Sequence, residues 1–333
     1  MMAIHTEKPS EDRSSRRWIR KRIDQLDAER DYAEIVKLST AYYLNQFQGD
    51  WAFAQSMPRF NIGPSATAIY RAGRGKLHTN SDRRADDTTS HFLTWVEYGP
   101  ESPQVKRSVD IINALHAKWA KEYPAEFEDP DLWTYVIAWE VCGTPVLLRD
   151  RLGFPEPSEK EKTAAVIFGK KLAELFVYVD GRPLPEVMPA LDTYEEWADF
   201  VRAYEARPWE YDSATEECVT QVLEIFERRF SLPFRSFARA LVTSFWHDGM
   251  FRCARVARPG RFISGAARAY MKVVLSVGRI LPDPKITFSE KLKRKAAQTG
   301  EPLNPILKST QVDVEPVAGQ CPMGFGGGAT ALR

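Results

Sequence analysis

An all-α fold, built as one large helical domain, is what the sequence predicts, and three observations carry that expectation. Apolar residues recur three and four positions apart through most of the chain, the pattern of helices that bury one face. Sustained alternation at period two, which a half-buried strand needs, is missing. Capping residues and glycine or proline stops fall where the periodic stretches begin and end.

In chain order, residues 1–14 (MMAIHTEKPSEDRS) are polar and expected to be disordered. From Arg16 to about Phe47 the recurrence of Ile19, Ile23, Leu26, Ile35 and Leu38 predicts helix. Trp51 to Tyr70 reads as apolar segments broken by Pro58 and Pro64, followed by a polar connector, AGRGKLHTNSD. A helix from Arg84 to Tyr98 stops at Gly99-Pro100. The next begins with Ser102 as N-cap and Pro103 in the first turn, and aligns Val105, Val109, Ile112, His116 and Trp119 on one stripe. Asp129-Pro130 opens a helix running to about Leu148, and Ser158 with Glu161 forms a capping box for another. Further helices are expected at 192–206, 212–229, 233–247 and 262–279. The composition changes from Pro282 onward, so 15–283 is read as the helical domain and 284–333 as an extended or partly disordered tail with room for one short helix.

At 333 residues and 44% apolar content the chain can bury a large core. Its 46 basic and 45 acidic residues leave a formal charge of +1, which argues against a nucleic-acid partner. The run Arg16, Arg17, Arg20, Lys21, Arg22 reads as a solvated helix face. Cys142, Cys218, Cys253 and Cys321 form no CxxC pair, so structural zinc spacings are excluded and reduced thiols in a cytoplasm are expected. Residues Met1 to Arg22 contain no apolar signal core, and no stretch reaches the ~20 apolar residues of a transmembrane helix. A cytoplasmic protein follows as the expectation, with a peripheral membrane contact left open.

Of five histidines, His116 alone sits in a clearly apolar helical stripe. Burial there disfavours protonation and leaves a nitrogen lone pair for a metal. On periodicity alone, such a histidine is more often a satisfied core residue. One helix upstream, Arg84 and Thr88 are one turn apart, with His91 and Trp95 following on the same side. An arginine offers planar, permanently charged donors for a carboxylate, and a threonine offers a small hydroxyl. An Arg–Asp surface pair among Asp82, Asp86 and Asp87 is the competing reading.

The strings YRAGRGKLHTNSDRRADDTTSHF, VDIINALHAKW and DPDLWTYVIAWEVCGTPVLLRDRLGF, with LDTYEEWADFVRAYEARPW beyond them, resemble the mpaB/rubber-oxygenase family of haem b proteins, which includes the latex clearing proteins. The family's marks are an Arg-x-x-x-Thr element and, downstream, a proximal histidine in an apolar helix; Arg84-Ala-Asp-Asp-Thr88 and His116 match in order. The resemblance extends to about residue 282. It implies an all-α domain enclosing a haem b, with His116 as the iron ligand and Arg84 and Thr88 beside the haem. His91 is a further cofactor-contact candidate. Asp87 stands where rubber oxygenases carry a lysine that can occupy the distal iron position, and is counted with Arg84 and Thr88 among the candidate catalytic residues. Tyr135-Val136-Ile137 replaces a Trp-Val-His setting found in many relatives, so a second histidine is absent. An open or water-bound distal position is therefore expected.

The function so implied is a haem-dependent oxidoreductase, an oxygenase, acting on a hydrophobic small molecule with dioxygen or peroxide. Peroxidase-like, peroxygenase-like or dehydrogenating tailoring chemistry is the alternative, and a non-enzymatic haem carrier or sensor a third. The remaining features weigh less. His247 in SFWHDG reads as a helix-end residue, and Cys321-Pro322 is a weak echo of haem-regulatory dipeptides in a glycine-rich tail. Trp133, Tyr135, Trp139, Phe168, Phe176 and Tyr178 are pocket-lining candidates without a catalytic role.

Overall fold

The computed structural model describes residues 13–309. These are mostly helical, and the β-type pairing among them is the isolated bridge between Val177 and Pro183. The helices are α1 (Trp18–Gln25), α2 (Tyr32–Val36), α3 (Gln46–Phe60), α4 (Ala68–Arg71), α5 (Gly75–Thr79), α6 (Ser81–Tyr98), α7 (Pro103–Ala120), α8 (Pro130–Ala138) and α9 (Thr144–Leu152). They continue as α10 (Glu159–Ala173), α11 (Tyr194–Glu205), α12 (Ser213–Glu227), α13 (Arg235–Thr243), α14 (Asp248–Cys253), α15 (Arg261–Ile280), α16 (Phe288–Thr299) and α17 (Pro305–Ser309). Wider π turns follow α2 at Lys37–Ala41 and join α8 to α9 at Trp139–Gly143.

Most expected helix starts are seen with their caps. Ser102 Oγ accepts from Val105 N at 3.2 Å, and Ser158 and Glu161 complete their capping box. The Asp129 carboxylate accepts from Asp131 N at 2.9 Å. Each such cap stabilises its helix by about 1 kcal/mol. Helices α11, α12, α13 and α15 fall within the stretches where periodicity placed them, to within a few residues.

Three local expectations are corrected. The stretch from Arg16 to Phe47 is two helices rather than one. The Asp27 carboxylate accepts from the amides of Glu29 and Arg30, a side-chain turn that competes with helix and breaks it after Gln25. Pro58 does not break α3: it lies in the last turn, where little ladder remains to lose, and the Asn61 side chain donates to Met57 O at 2.8 Å. The polar connector holds a short helix, α5, reached through Gly73 and Gly75 at positive φ.

The described part of the tail is likewise not extended. Helices α16 and α17 lie on α6, where Leu93, Phe288 and Leu307 form a small buried cluster. Ser289 donates to Glu97 at 2.6 Å and Lys293 to the Tyr98 hydroxyl at 2.9 Å. Just before these helices, Asp283 accepts from Ile19 N at 2.9 Å and from the Tyr43 hydroxyl at 3.0 Å, and its own amide donates to Arg16 O. The chain on either side of the 283/284 boundary thus packs against the same body. The segment 310–333, with Cys321-Pro322, lies outside the described residues, as does nearly all of 1–14.

The main core is contiguous and centred on α3, α8, α10, α11, α12 and α13, with Trp197, Tyr135, Phe226, Phe245 and Leu172 sealed inside it. Burying each such side chain contributes about 1.5–3 kcal/mol. Helix α6 runs beside this core, with α7 on one flank and α16 and α17 on another, so its 18 residues touch several layers at once.

Candidate functional site

Helix α7 buries its stripe unevenly. Val105 and Val109 are fully sealed, whereas Ile112, His116 and Trp119 one and two turns on are only half-buried. The His116 ring lies against Phe127 and Trp133, with ring centres 5.2 and 5.1 Å away. Trp133 comes from α8, opened by the Asp129 cap, and its indole donates to Phe127 O at 2.9 Å. Phe176 and Tyr178 pack on Trp133 from the other side. They are held there because Asn113, on α7, donates to Leu175 O and accepts from Val177 N. Two aromatic rings thus wall the imidazole, and two more back Trp133 to form the box.

His116 makes no hydrogen bond, and its Nδ1 is buried without a partner. Its pKa is pushed down to about 3, first by burial and then by the positive charges of Arg84 and His91. The ring is therefore neutral at ordinary pH and carries a free lone pair. A buried polar atom left unpaired costs about 1–3 kcal/mol, a cost that a bound partner would offset.

Arg84 is one helix away on α6. It donates to Thr88 Oγ1 at 2.9 Å, and that hydroxyl donates back to Arg84 O at 2.8 Å. Burial pushes the guanidinium below its ordinary range, with the Asp87 charge opposing, and no carboxylate among the described residues lies within ion-pair distance of it. A desolvated cation without a counter-ion is an arrangement suited to an anionic ligand.

The other two expected site residues are engaged elsewhere. His91 Nδ1 is 2.7 Å from Ser108 Oγ, which also accepts from Trp95 Nε1 at 3.0 Å. This network ties α6 to α7 and leaves His91 a supporting residue behind the box, neutral because burial and the Arg84 charge push its pKa to about 4. Asp87 is buried and turned to the flank of α6, where it pairs with Lys76 at 2.6 Å and Arg83 at 2.9 Å and accepts from Asn304 at 3.0 Å. Burial alone would raise its carboxyl, but Lys76, Asn304 and Arg83 outweigh that and hold it below the usual carboxylate range. Through these contacts it anchors α5 and the α16–α17 segment to α6.

Of the aromatic candidates, Trp133, Phe176 and Tyr178 reach the box. Tyr135 instead stacks on Tyr204 at 4.3 Å, and Trp139 lies under the Arg59 guanidinium. Phe168 belongs to the main core. Residues not anticipated from sequence include Phe127, whose spacing from Trp133 gives no hint of a shared ring contact. Two interior acids were also not foreseen. Burial pushes Glu126 up to about 7, against hydrogen bonds from the Ile69 and Ala68 amides, and Glu140 up to about 7 with nothing opposing it. A surface cleft lies elsewhere, between α3, α12 and α16, over the opposite face of α6.

No three of the metal-ligating side chains His, Cys, Asp and Glu converge among the described residues. A bare ion needs several protein ligands, so a metal on His116 requires a group that brings its own donors. The donor set fits haem b in that respect: one neutral imidazole, aromatic walls and, for a propionate, a half-buried guanidinium with no carboxylate partner among the described residues. No family model matches the chain, and no curated protein matches it. No helix among the described residues is long and apolar enough to cross a membrane.

The neutral histidines make a prediction about acid. His91, His116 and His247 have depressed pKa values, near 4, 3 and 4, against about 6.5 for a free imidazole. Below pH 6.5 the unfolded chain takes up these protons and the folded one does not, so stability falls as pH drops from about 6.5 toward 4. Glu126 and Glu140, raised to about 7 in the fold, take up protons in the folded state over the same range and oppose this. The test therefore uses the Glu126→Gln, Glu140→Gln background, in which urea midpoints should decrease steadily. A flat profile would mean that the three rings are solvated.

Proposed function

We propose that the chain is a haem b-dependent oxidoreductase of the mpaB/rubber-oxygenase kind, an oxygenase acting on a hydrophobic small molecule. The observation that carries this reading is His116, an imidazole with no hydrogen-bond partner among the described residues, set against Phe127 and Trp133 and one helix from a half-buried Arg84 that no carboxylate among the described residues pairs. When bound, haem b supplies the redox-active iron and an open face for dioxygen or peroxide.

The chain's own residues have separable tasks. His116 offers one lone pair and stays neutral, so no proton competes for it at ordinary pH. Phe127 and Trp133 fix the plane of its ring and exclude water from it. Arg84 would hold a propionate, its guanidinium oriented by the bond to Thr88 at 2.9 Å. His91, Ser108 and Trp95 keep α6 and α7 in register behind the site. Removing Arg84 should weaken cofactor retention without abolishing ligation.

An absorption spectrum of the purified protein tests this directly. A Soret band is expected, and it should shift when the protein is reduced under carbon monoxide, since His116 would be the single ligand the chain supplies. A colourless protein that takes up no added haem sinks the proposal. A haem that stays low-spin and binds no carbon monoxide would assign a carrier instead. Turnover that needs peroxide or an electron acceptor, and not dioxygen, would assign the peroxidase-like or dehydrogenating chemistry.

A further inference from the structure

Helix α15 presents an apolar face to solvent. Phe262 is 95% exposed, Val273 61% and Ile280 64%, and at helical spacing they share one side with Val277. The opposite side, Ser264, Ala267 and Met271, is buried against the body, so the helix is held in place and its outer face is the apolar one. Exposed Leu232 and Phe234 lie beside α13, which packs on α15 through the Phe237–Tyr270 ring contact. Isolated exposed apolar residues are ordinary; a row of them along a 20-residue helix is not.

Charge is segregated on the same stretch. From Gly249 to Pro282 the sequence has seven Lys and Arg and no Asp or Glu, in a chain whose total charge is +1. Arg261 and Lys272 are exposed, lie on one flank of the apolar row, and pair with no carboxylate among the described residues. A helix with an apolar outer face and an unopposed basic flank matches an anionic lipid surface, with the apolar row at the acyl boundary and the cations among the headgroups.

We propose that α15 attaches the protein peripherally to a membrane surface rich in anionic lipid. The attachment is argued from this helix alone and stands or falls independently of the haem reading. A protein partner would need acids set against the same flank, whereas a lipid surface supplies negative charge along its whole length.

Co-sedimentation of the full-length protein with phosphatidylcholine vesicles, with and without phosphatidylserine, tests it. Binding is expected with phosphatidylserine, weakening as salt screens the headgroups. The triple substitution Phe262→Glu, Val273→Glu, Ile280→Glu should abolish it. Arg261→Gln and Lys272→Gln should each weaken it by roughly five-fold. Phe262→Glu alone, at a position with almost no contacts to lose, provides a folded variant if the triple one misfolds, and should still cut binding. The proposal is overturned if wild-type protein fails to sediment with phosphatidylserine vesicles, or if the Phe262 variant binds as well as wild type. Self-association in lipid-free buffer that the same substitutions abolish would overturn it too, assigning the face to a second copy.

Discussion

Replacing His116 by alanine is expected to abolish the Soret band while leaving the helical circular dichroism of the protein intact. The two readouts separate because His116 makes no hydrogen bond within the fold, so its removal leaves no donor or acceptor stranded. What is lost is packing against Phe127 and Trp133, a moderate cost spread over an already half-open site. Added imidazole should restore part of the absorption by occupying the vacated space. His91→Ala gives the contrast. It breaks the bond to Ser108 and costs about 1–3 kcal/mol, yet should retain haem. If His116→Ala keeps full haem and His91→Ala loses it, the ligand assignment is wrong.

The largest stability effect is expected at Glu205. Arg59 is fully buried, donates to Glu205 Oε1 at 2.8 Å, to Gln55 and to Phe245 O, and lies over the Trp139 ring. The Tyr135 hydroxyl donates to the same carboxylate oxygen at 2.9 Å. Glu205→Ala strands a buried guanidinium, which costs about 3–5 kcal/mol. In a chain of this size that corresponds to a Tm lower by roughly 6 °C. Thermal unfolding followed by circular dichroism checks it. Burial would raise the Glu205 carboxyl, but Arg59, His247 and Tyr135 hold it below its ordinary value. Its contribution is therefore present above the usual carboxylate range and lost as pH falls through the depressed value. The variant should accordingly show a shallower loss of stability at acid pH than wild type.

These residues also mark where the sequence stops being legible. Helices with one apolar face and a cap, such as α7 with Ser102 and α10 with Ser158 and Glu161, are local objects and could be read directly. So could the stripe that carries His116. The partners could not, because they come from distant chain: Arg59 and Glu205 are 146 residues apart, and Asp87 and Asn304 are 217 apart. Asp87 therefore looked like a site residue by position alone, and only its three contacts reveal an anchor. Helix α16 was hidden for a different reason. Its basic residues, in KLKRK, suggest a solvated tail, while the apolar anchors that dock it, Phe288 and Leu292, are too few to register as a periodic pattern.

The Asp283 clasp on α1 has a consequence for how the chain is made. Ile19 waits for an acceptor 264 residues downstream, and at ordinary elongation rates that acceptor leaves the ribosome on the order of 10–50 s later. Throughout that interval α1, with Trp18, Ile19 and Ile23 on its apolar side, has no clasp to close it. The first of the described helices is thus among the last to be locked. A nascent chain of this protein should remain a chaperone client until nearly all of its helices have emerged.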